Sequence, residues 1–192
     1  MALPFGHISA GYLGYEAVRP AGPHRPALLL GAIALANAAD FDFLPGLVIG
    51  HADAYHRGVT HTLAAVVVIA LAVAAAGDIA GARRATVLRA AGWAATVYAS
   101  HLVLDYVTVC AVPPSGGRFL WPLSDAHYIA PRPLLDEIII DSSSRSAFVA
   151  SLLTPHALGV WARELAFLLG IVGLVHGLRR SAASIAEVPE AS

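Results

Sequence analysis

The segment "HRGVTHTLAAVVVIALAVAAAGD", residues 56–78, joins an ionisable start to a long apolar run. Two histidines and an arginine stand at its start, and between Arg57 and Arg83 the only charged residue is Asp78. About 20 predominantly apolar residues are enough for a helix to cross the hydrocarbon core of a bilayer. The segment therefore predicts a membrane helix that begins beside a group of ionisable side chains.

The composition of the whole chain also favours a membrane protein. Of the 192 residues, 57% are hydrophobic and 13% are charged, and this charged share is about half that of an average soluble protein. All twelve basic residues are arginines, and the formal net charge is -1. The chain has no broad basic surface of the kind that nucleic acid requires, so we expect no nucleic-acid partner. Its charge-free stretches also disfavour a soluble helical protein with a buried metal.

Other stretches are further candidates for membrane helices. Between Arg89 and Arg118 the only charged residue is Asp105. Residues 158–178 and the shorter, proline-led residues 26–39 are also mainly apolar. Together with the first segment they predict four helices that enter the membrane.

The whole chain is accordingly predicted to be all-α, a polytopic membrane helical bundle with about four to five membrane helices. Residues 7–18 are helix-like and supply the fifth, partly inserted helix. Residues 111–146 are rich in proline and glycine, which predicts one long structured loop. Residues 1–180 are expected to form a single membrane-embedded domain with a metal site, and residues 181–192 a disordered tail.

Arginines near the ends of these helices indicate an orientation. They form three clusters: Arg19 with Arg25, Arg83 with Arg84 and Arg89, and Arg179 with Arg180. Cytoplasmic loops are enriched in Lys and Arg close to membrane helices, so all three clusters, and the C-terminus, are placed on the cytoplasmic side of a multi-pass inner (plasma) membrane protein. Threading the helices up and down then brings seven residues together on the outward-facing side: His7, Asp40, Asp42, His56, His61, His101 and Asp105.

The spacing within this set is suited to metal binding. His101 and Asp105 are four residues apart, so one helix face directs both side chains at the same point. His56 and His61 are five residues apart, which places His56 in the turn before the helix, with Gly58 allowing the bend. Of these two histidines, only His61 therefore needs to lie on the helix.

The neighbouring residues complete a ligand set. Thr60 is the expected N-cap of the following helix. Asp40 and Asp42 precede a Leu-Pro-Gly sequence, so we expect the helix to end near them and both carboxylates to turn inward. Imidazole and carboxylate together suit a divalent metal, with Zn²⁺ first and Mn²⁺ or Fe²⁺ as alternatives, and the single Cys110 argues against a thiolate zinc site.

Five short motifs occur in an order that resembles the YdjM-type family of membrane proteins, and this resemblance implies a metal-dependent hydrolase activity. The motifs are "GH" at residues 6–7, "DFDFLPG" at 40–46, "HRGVTHT" at 56–62, "SHLVLDYVT" at 100–108 and "WPLS" at 121–124. The resemblance covers most of residues 6–125. It implies that the metal-site positions are His7, Asp40, Asp42, His56, His61, His101 and Asp105.

A metal-activated water is then the expected nucleophile. Asp42 or His7 is the candidate base, because neither is paired with another ligand along one helix face as His101 and Asp105 are. Arg57 either clamps an anionic group with its planar fork or anchors a helix end at the headgroups. We therefore expect a hydrolase, a phosphoesterase candidate, that acts on an amphiphilic or small-molecule substrate within the lipid bilayer. A metal or proton transporter is the alternative, disfavoured because the ionisable groups cluster instead of crossing the membrane.

Overall fold

The computed structural model describes residues 4–19, 23–51, 55–110 and 114–186. Seven α-helices lie in these residues: α1 Pro4–Val18, α2 Pro26–Ala36, α3 Phe43–Ile49, α4 Leu63–Ile79, α5 Arg84–Tyr106, α6 Arg145–Ser151 and α7 Pro155–Ala186. A 3₁₀ turn, Ala38–Asp42, follows α2, and another, Val59–His61, precedes α4. The same residues form no strand, only two isolated β-bridges. The predicted all-α class is confirmed.

Length and hydropathy single out fewer membrane helices than the sequence predicted. In the described residues, Pro155–Ala182 of α7 is long and apolar enough to cross a bilayer. A second span exists only if α2 and the segment Ala38–Ile49, which are bent by 61°, count as one. The apolar α4 has 17 residues, and the 23 residues of α5 include His101, Asp105 and arginines. One or two spans are therefore shown by length and composition, rather than four to five.

Helix α1 packs against both α2 and α5. Trp93 of α5 donates from Nε1 to the carbonyl of Gly14 at 2.9 Å, and His101 near the other end of α5 stacks on His7. α5 therefore runs antiparallel to α1. α2 comes so close that a Cβ on Gly11 would lie 2.7 Å from a Cα atom of α2, which makes glycine necessary at this contact.

Helix α7 runs parallel to α1 on a further face. The backbone N–H of Gly6 donates to the Glu164 carboxylate at 2.9 Å, and Arg179 donates to the carbonyl of Glu16 at 2.8 Å. One end of the bundle therefore collects the start of α1, the turn after α2, the turn before α4, the last third of α5 and the first half of α7.

The long loop predicted over residues 111–146 is structured where it is described, and it is attached to this same end. The backbone N–H of Leu63 donates to the carbonyl oxygen of Phe119 at 2.8 Å, and the backbone N–H of Ala130 donates to the carbonyl oxygen of Tyr106 at 2.8 Å. Its first three residues lie outside the described ranges. The loop therefore closes over the ends of α4 and α5.

The C-terminal helix continues further than composition suggested. α7 extends through Ala186, into residues 181–192 that were expected to form a disordered tail. The segment Ser-Ala-Ala-Ser-Ile-Ala is rich in alanine, the residue with the highest helix propensity, and it prolongs the preceding helix. Residues 187–192 lie outside the described ranges.

Candidate metal centre

The structure brings all seven predicted side chains into one cluster at this end of the bundle. They come from α1, from the two 3₁₀ turns and the loop between them, and from α5. His7, His61 and His101 are completely buried, and Asp40 and Asp105 are nearly so. Asp42 and His56 are half-buried at the edge of the cluster. A site built from distant sequence segments is therefore enclosed within the fold.

Two imidazoles face each other at the middle of the cluster. The Nε2 atoms of His61 and His101 are 3.1 Å apart. Nδ1 of His101 lies 2.9 Å from the carbonyl oxygen of Ala36, which can only accept, so the ring proton sits on Nδ1. Nδ1 of His61 likewise faces a carboxylate oxygen of Asp42 at 3.1 Å. In their neutral forms both rings therefore direct an Nε2 lone pair at the same point.

Two carboxylates surround the same point. Oδ1 of Asp40 is 3.4 Å from Nε2 of His61 and 3.4 Å from Nε2 of His101. Oδ2 of Asp105 is 3.5 Å and 3.8 Å from the same two atoms. Four ligands bound at about 2.0–2.2 Å in tetrahedral geometry lie roughly 3.4 Å apart. The donor atoms and their separations therefore fit a divalent metal ion.

Asp42 lies behind the imidazoles rather than among the atoms that face the central point. Its Oδ1 is 3.0 Å from Nδ1 of His56, and its Oδ2 is 3.1 Å from Nδ1 of His61. Thr60 also donates its hydroxyl to Oδ2 at 2.7 Å. A carboxylate in this position fixes the tautomer and orientation of metal-binding histidines. The sequence placed Asp42 among the ligands and candidate bases, and in the structure its two carboxylate oxygens face Nδ1 of His56 and Nδ1 of His61.

His7 occupies the opposite side of the cluster. Its ring stacks on His101 with centroids 3.7 Å apart and an interplanar angle of 8°. Its Nε2 is 3.7 Å from Oδ2 of Asp40 and 4.0 Å from Oδ1 of Asp105. Neither ring nitrogen of His7 has a hydrogen-bond partner in the described part of the chain, and the same holds for Nε2 of His56. Such buried nitrogens are suited to a proton or a metal.

The turn before α4 has a backbone conformation that explains its sequence. The bend is at Arg57, whose φ of 57° is uncommon for a residue other than glycine. Gly58 is required because a Cβ there would lie 2.9 Å from the carbonyl oxygen of Tyr55. The N-cap of α4 is Thr62, which accepts from the N–H of Ala65 at 3.1 Å, and not Thr60 as expected. Thr60 differs because its hydroxyl is directed at the carboxylate behind His61.

Arg57 lies close enough to the cluster for its charge to interact with that of Asp105. Its Nη1 donates to the sulfur of Cys110 at 2.7 Å, which anchors the guanidinium to the loop after α5. Burial lowers the pKa of Arg57, but the negative charge of Asp105 and the contact with Cys110 outweigh it and raise the pKa above its ordinary value. The guanidinium therefore remains charged beside the carboxylates.

Three supporting contacts were not found by sequence reasoning. The Tyr98 hydroxyl donates to the carbonyl of Thr60 at 2.7 Å, and the carbonyl of Ala36 holds His101. The Glu164 carboxylate accepts a hydrogen bond from the backbone N–H of Gly6, the residue before His7. Only Glu164 had a sequence signal, as a charged residue inside an apolar stretch. A cavity of about 320 Å³ lies beside it, lined by Gly6, Leu134, Val160, Arg163, Glu164 and Phe167.

Comparison with known proteins identifies a family to which the chain is similar. The family described as YdjM inner membrane protein matches residues 1–183. No curated protein and no solved structure matches the chain. The matched region contains every residue of the cluster.

Proposed function

The chain belongs to the YdjM inner membrane protein family, and on that premise we propose that it is a membrane-bound, metal-dependent hydrolase. The observation that carries the proposal is the 3.1 Å distance between Nε2 of His61 and Nε2 of His101. In the neutral rings the proton lies on Nδ1, so both Nε2 atoms present lone pairs to each other. Two carboxylates face the same point. Lone pairs and negative charges so arranged repel each other unless a cation lies among them.

Four residues are the proposed metal ligands: Asp40, His61, His101 and Asp105. Zn²⁺ suits this set of two imidazoles and two carboxylates best, and Mn²⁺ or Fe²⁺ suits it next. An ion held by these residues would supply a water nucleophile at neutral pH and would polarise the oxygen of the scissile group. The protein contributes an enclosed position and fixed ligand orientations.

His7 is the better of the two candidate bases. Both carboxylate oxygens of Asp42 are already engaged by His56, His61 and Thr60. The ring nitrogens of His7 make no hydrogen bond in the described residues and are therefore available to accept a proton. Glu164 would act as a positioning residue, since it fixes the first turn of α1.

Arg57 is the proposed contact for an anionic substrate. Its guanidinium is half-buried, remains charged, and is held beside the cluster by Cys110. A planar fork of donors is suited to a phosphate or carboxylate group. A phosphoester of an amphiphilic, lipid-like molecule fits both this contact and a membrane location.

The proposed topology has several membrane passes, with the C-terminus cytoplasmic and the metal centre facing outward. The helix directions support it, because Arg19 and Arg179 both contact Glu16 at the end of α1 that is far from the metal centre. α5 begins at this same end, with Arg84. All three arginine clusters thus lie away from the centre, as positive-inside placement requires. On this proposal α1, the bent α2–α3 pair, α4, α5 and α7 all enter the membrane.

Cysteine labelling of intact cells tests the topology. In a Cys110→Ser background, an Ala82→Cys variant should react only after the cytoplasmic side is opened. Leu123→Cys, in the loop over the metal centre and 93% exposed, should react from outside. Reaction of the Ala82→Cys variant in intact cells would reverse the orientation.

Turnover of a synthetic lipid phosphoester tests the reaction. The purified protein should contain bound divalent metal and hydrolyse this substrate. Arg57→Lys should reduce turnover at least tenfold without changing metal content, because lysine keeps the charge but loses the fork. Arg118→Lys, in the loop, is the matched control and should behave as wild type. Metal flux through reconstituted vesicles without hydrolysis would instead support a transporter.

A further inference from the structure

We propose that the centre binds two divalent cations that share their carboxylate ligands, an inference that rests on the metal binding proposed above. Without Asp42, six residues remain. They form two triads, each with two imidazoles and one carboxylate: His7, His101 and Asp105, and Asp40, His56 and His61. Within each triad the ligand atoms all lie within 4.8 Å of one another. Each triad has the composition of a transition-metal site.

The two carboxylates connect the triads. Asp40 directs Oδ1 at Nε2 of His61, 3.4 Å away, and Oδ2 at Nε2 of His7, 3.7 Å away. Asp105 directs Oδ2 at Nε2 of His61 at 3.5 Å, and Oδ1 at Nε2 of His7 at 4.0 Å. Each carboxylate therefore offers one oxygen to each side of the cluster. This is the arrangement that bridging carboxylates adopt between paired metal ions.

A single cation would leave part of this arrangement unexplained. One ion held by Asp40, His61, His101 and Asp105 uses the atoms around the central point only. Both ring nitrogens of His7 and Nε2 of His56 are buried and have no hydrogen-bond partner in the described residues. Buried polar atoms are normally paired, because burial without a partner costs free energy. A second cation gives both histidines a ligand role, and His7 is then a ligand and no longer the base proposed for a centre with one cation.

Two cations also narrow the substrate class. Asp40, Asp42 and Asp105 contribute three negative charges, and Arg57 contributes one positive charge, which leaves a net of two negative charges. Two divalent cations change this to two positive charges. A dianionic phosphate monoester would neutralise the centre, and two metal ions are suited to holding the oxygens of a transferring phosphoryl group. The paired centre therefore favours phosphomonoesters over carboxylic esters.

Metal stoichiometry tests the second cation separately from the first. Full-length protein loaded with Zn²⁺ in detergent and desalted should retain two equivalents per chain. His7→Ala and His56→Ala should each retain about one, and His127→Ala, an exposed histidine in the loop, should retain two. Wild type with one equivalent, unchanged by His7→Ala, would overturn the paired centre alone. Wild type with no bound metal would overturn the proposed hydrolase as well.

Electron paramagnetic resonance of Mn²⁺-loaded wild type provides a second measurement that needs no variant to fold. Two Mn²⁺ ions bridged by carboxylates should give an exchange-coupled spectrum, which inorganic phosphate should alter. An isolated Mn²⁺ signal at full loading would contradict the shared carboxylates. Where His7→Ala folds, it should convert the coupled spectrum to the isolated one.

Discussion

The two ends of α1 bury acidic groups in different ways. At its C-terminal end, the Glu16 carboxylate is paired with the guanidinium groups of Arg19 and Arg179 at 3.2 Å and 2.5 Å. At its N-terminal end, Asp40 and Asp105 face three imidazoles at 3.4–4.0 Å. The first end is neutralised by the protein's own permanent cations. The second end has imidazole rings, which are not permanent cations, in the same position.

This difference indicates what each end is for. A guanidinium is always charged and satisfies a carboxylate within the fold, so the Glu16 contacts hold α1 and α7 together without any ligand. An imidazole neutralises a carboxylate only when protonated, but as a neutral ring it is a good metal ligand. We therefore expect the Glu16 end to be independent of metal and the histidine end to depend on it.

Removal of metal should have the largest effect and act on one end only. A chelator should lower the unfolding free energy by about 4 kcal/mol when free metal had been about 1,000 times its dissociation constant. Thermal unfolding in one detergent, with and without chelator, measures this loss. The Glu16→Gln variant should show the same chelator effect. A chelator effect that vanished in this variant would mean that the two ends are not independent.

Glu16→Gln should have the next largest effect, and it should spare the metal. The substitution keeps the shape but removes the charge that two arginines contact, which should lower the unfolding free energy by about 1.5–3 kcal/mol. Bound metal, measured by elemental analysis, should equal that of wild type. Loss of metal from this variant would show that the far end of α1 controls the position of His7.

The sequence was sufficient to locate the histidine end of the bundle. The HxxxD spacing of His101 and Asp105 required only the helical period. The positive-inside rule was enough to put the three arginine clusters on one side of the membrane. That orientation in turn placed His7, Asp40 and His61 near the same end of neighbouring helices. These inferences depend on local periodicity and overall direction, both of which a single sequence carries.

The different positions of the Asp40 and Asp42 carboxylates were not predictable from the sequence. They lie in a 3₁₀ turn, where three residues complete one turn, so residues two apart point in clearly different directions. Asp40 is thereby directed at the central point and Asp42 at the backs of the imidazoles. The backbone carbonyl of Ala36, which sets the tautomer of His101, has no sequence signature at all. Such partners follow from tertiary packing.

Asp42→Asn should have an intermediate effect confined to the histidine end. The amide keeps the size of the side chain but weakens the hold on the Nδ1 protons of His56 and His61. Loss of such an orienting carboxylate typically reduces metal affinity 10–100-fold, or about 1.4–2.7 kcal/mol. Competition with a fluorescent chelator measures the affinity, and Asp78→Asn, an exposed carboxylate at the end of α4, is the control. Equal affinity in both variants would assign Asp42 a structural role only.

The smallest effect is expected from Tyr98→Phe, which tests how rigidly the histidine end is supported. The Tyr98 hydroxyl donates to the carbonyl of Thr60 at 2.7 Å, and Thr60 in turn donates to Asp42. Loss of one neutral hydrogen bond should lower the unfolding free energy by about 1 kcal/mol.

The effect of Tyr98→Phe on metal affinity should remain below about threefold, because the ring still packs against Ala39 and Leu102 and the carboxylate keeps both imidazole contacts. Chelator competition beside the Asp42→Asn variant measures this difference. A loss as large as that in Asp42→Asn would mean that the turn before α4 is held in place chiefly by Tyr98. The histidine end would then depend on α5 for its geometry as well as for two of its ligands.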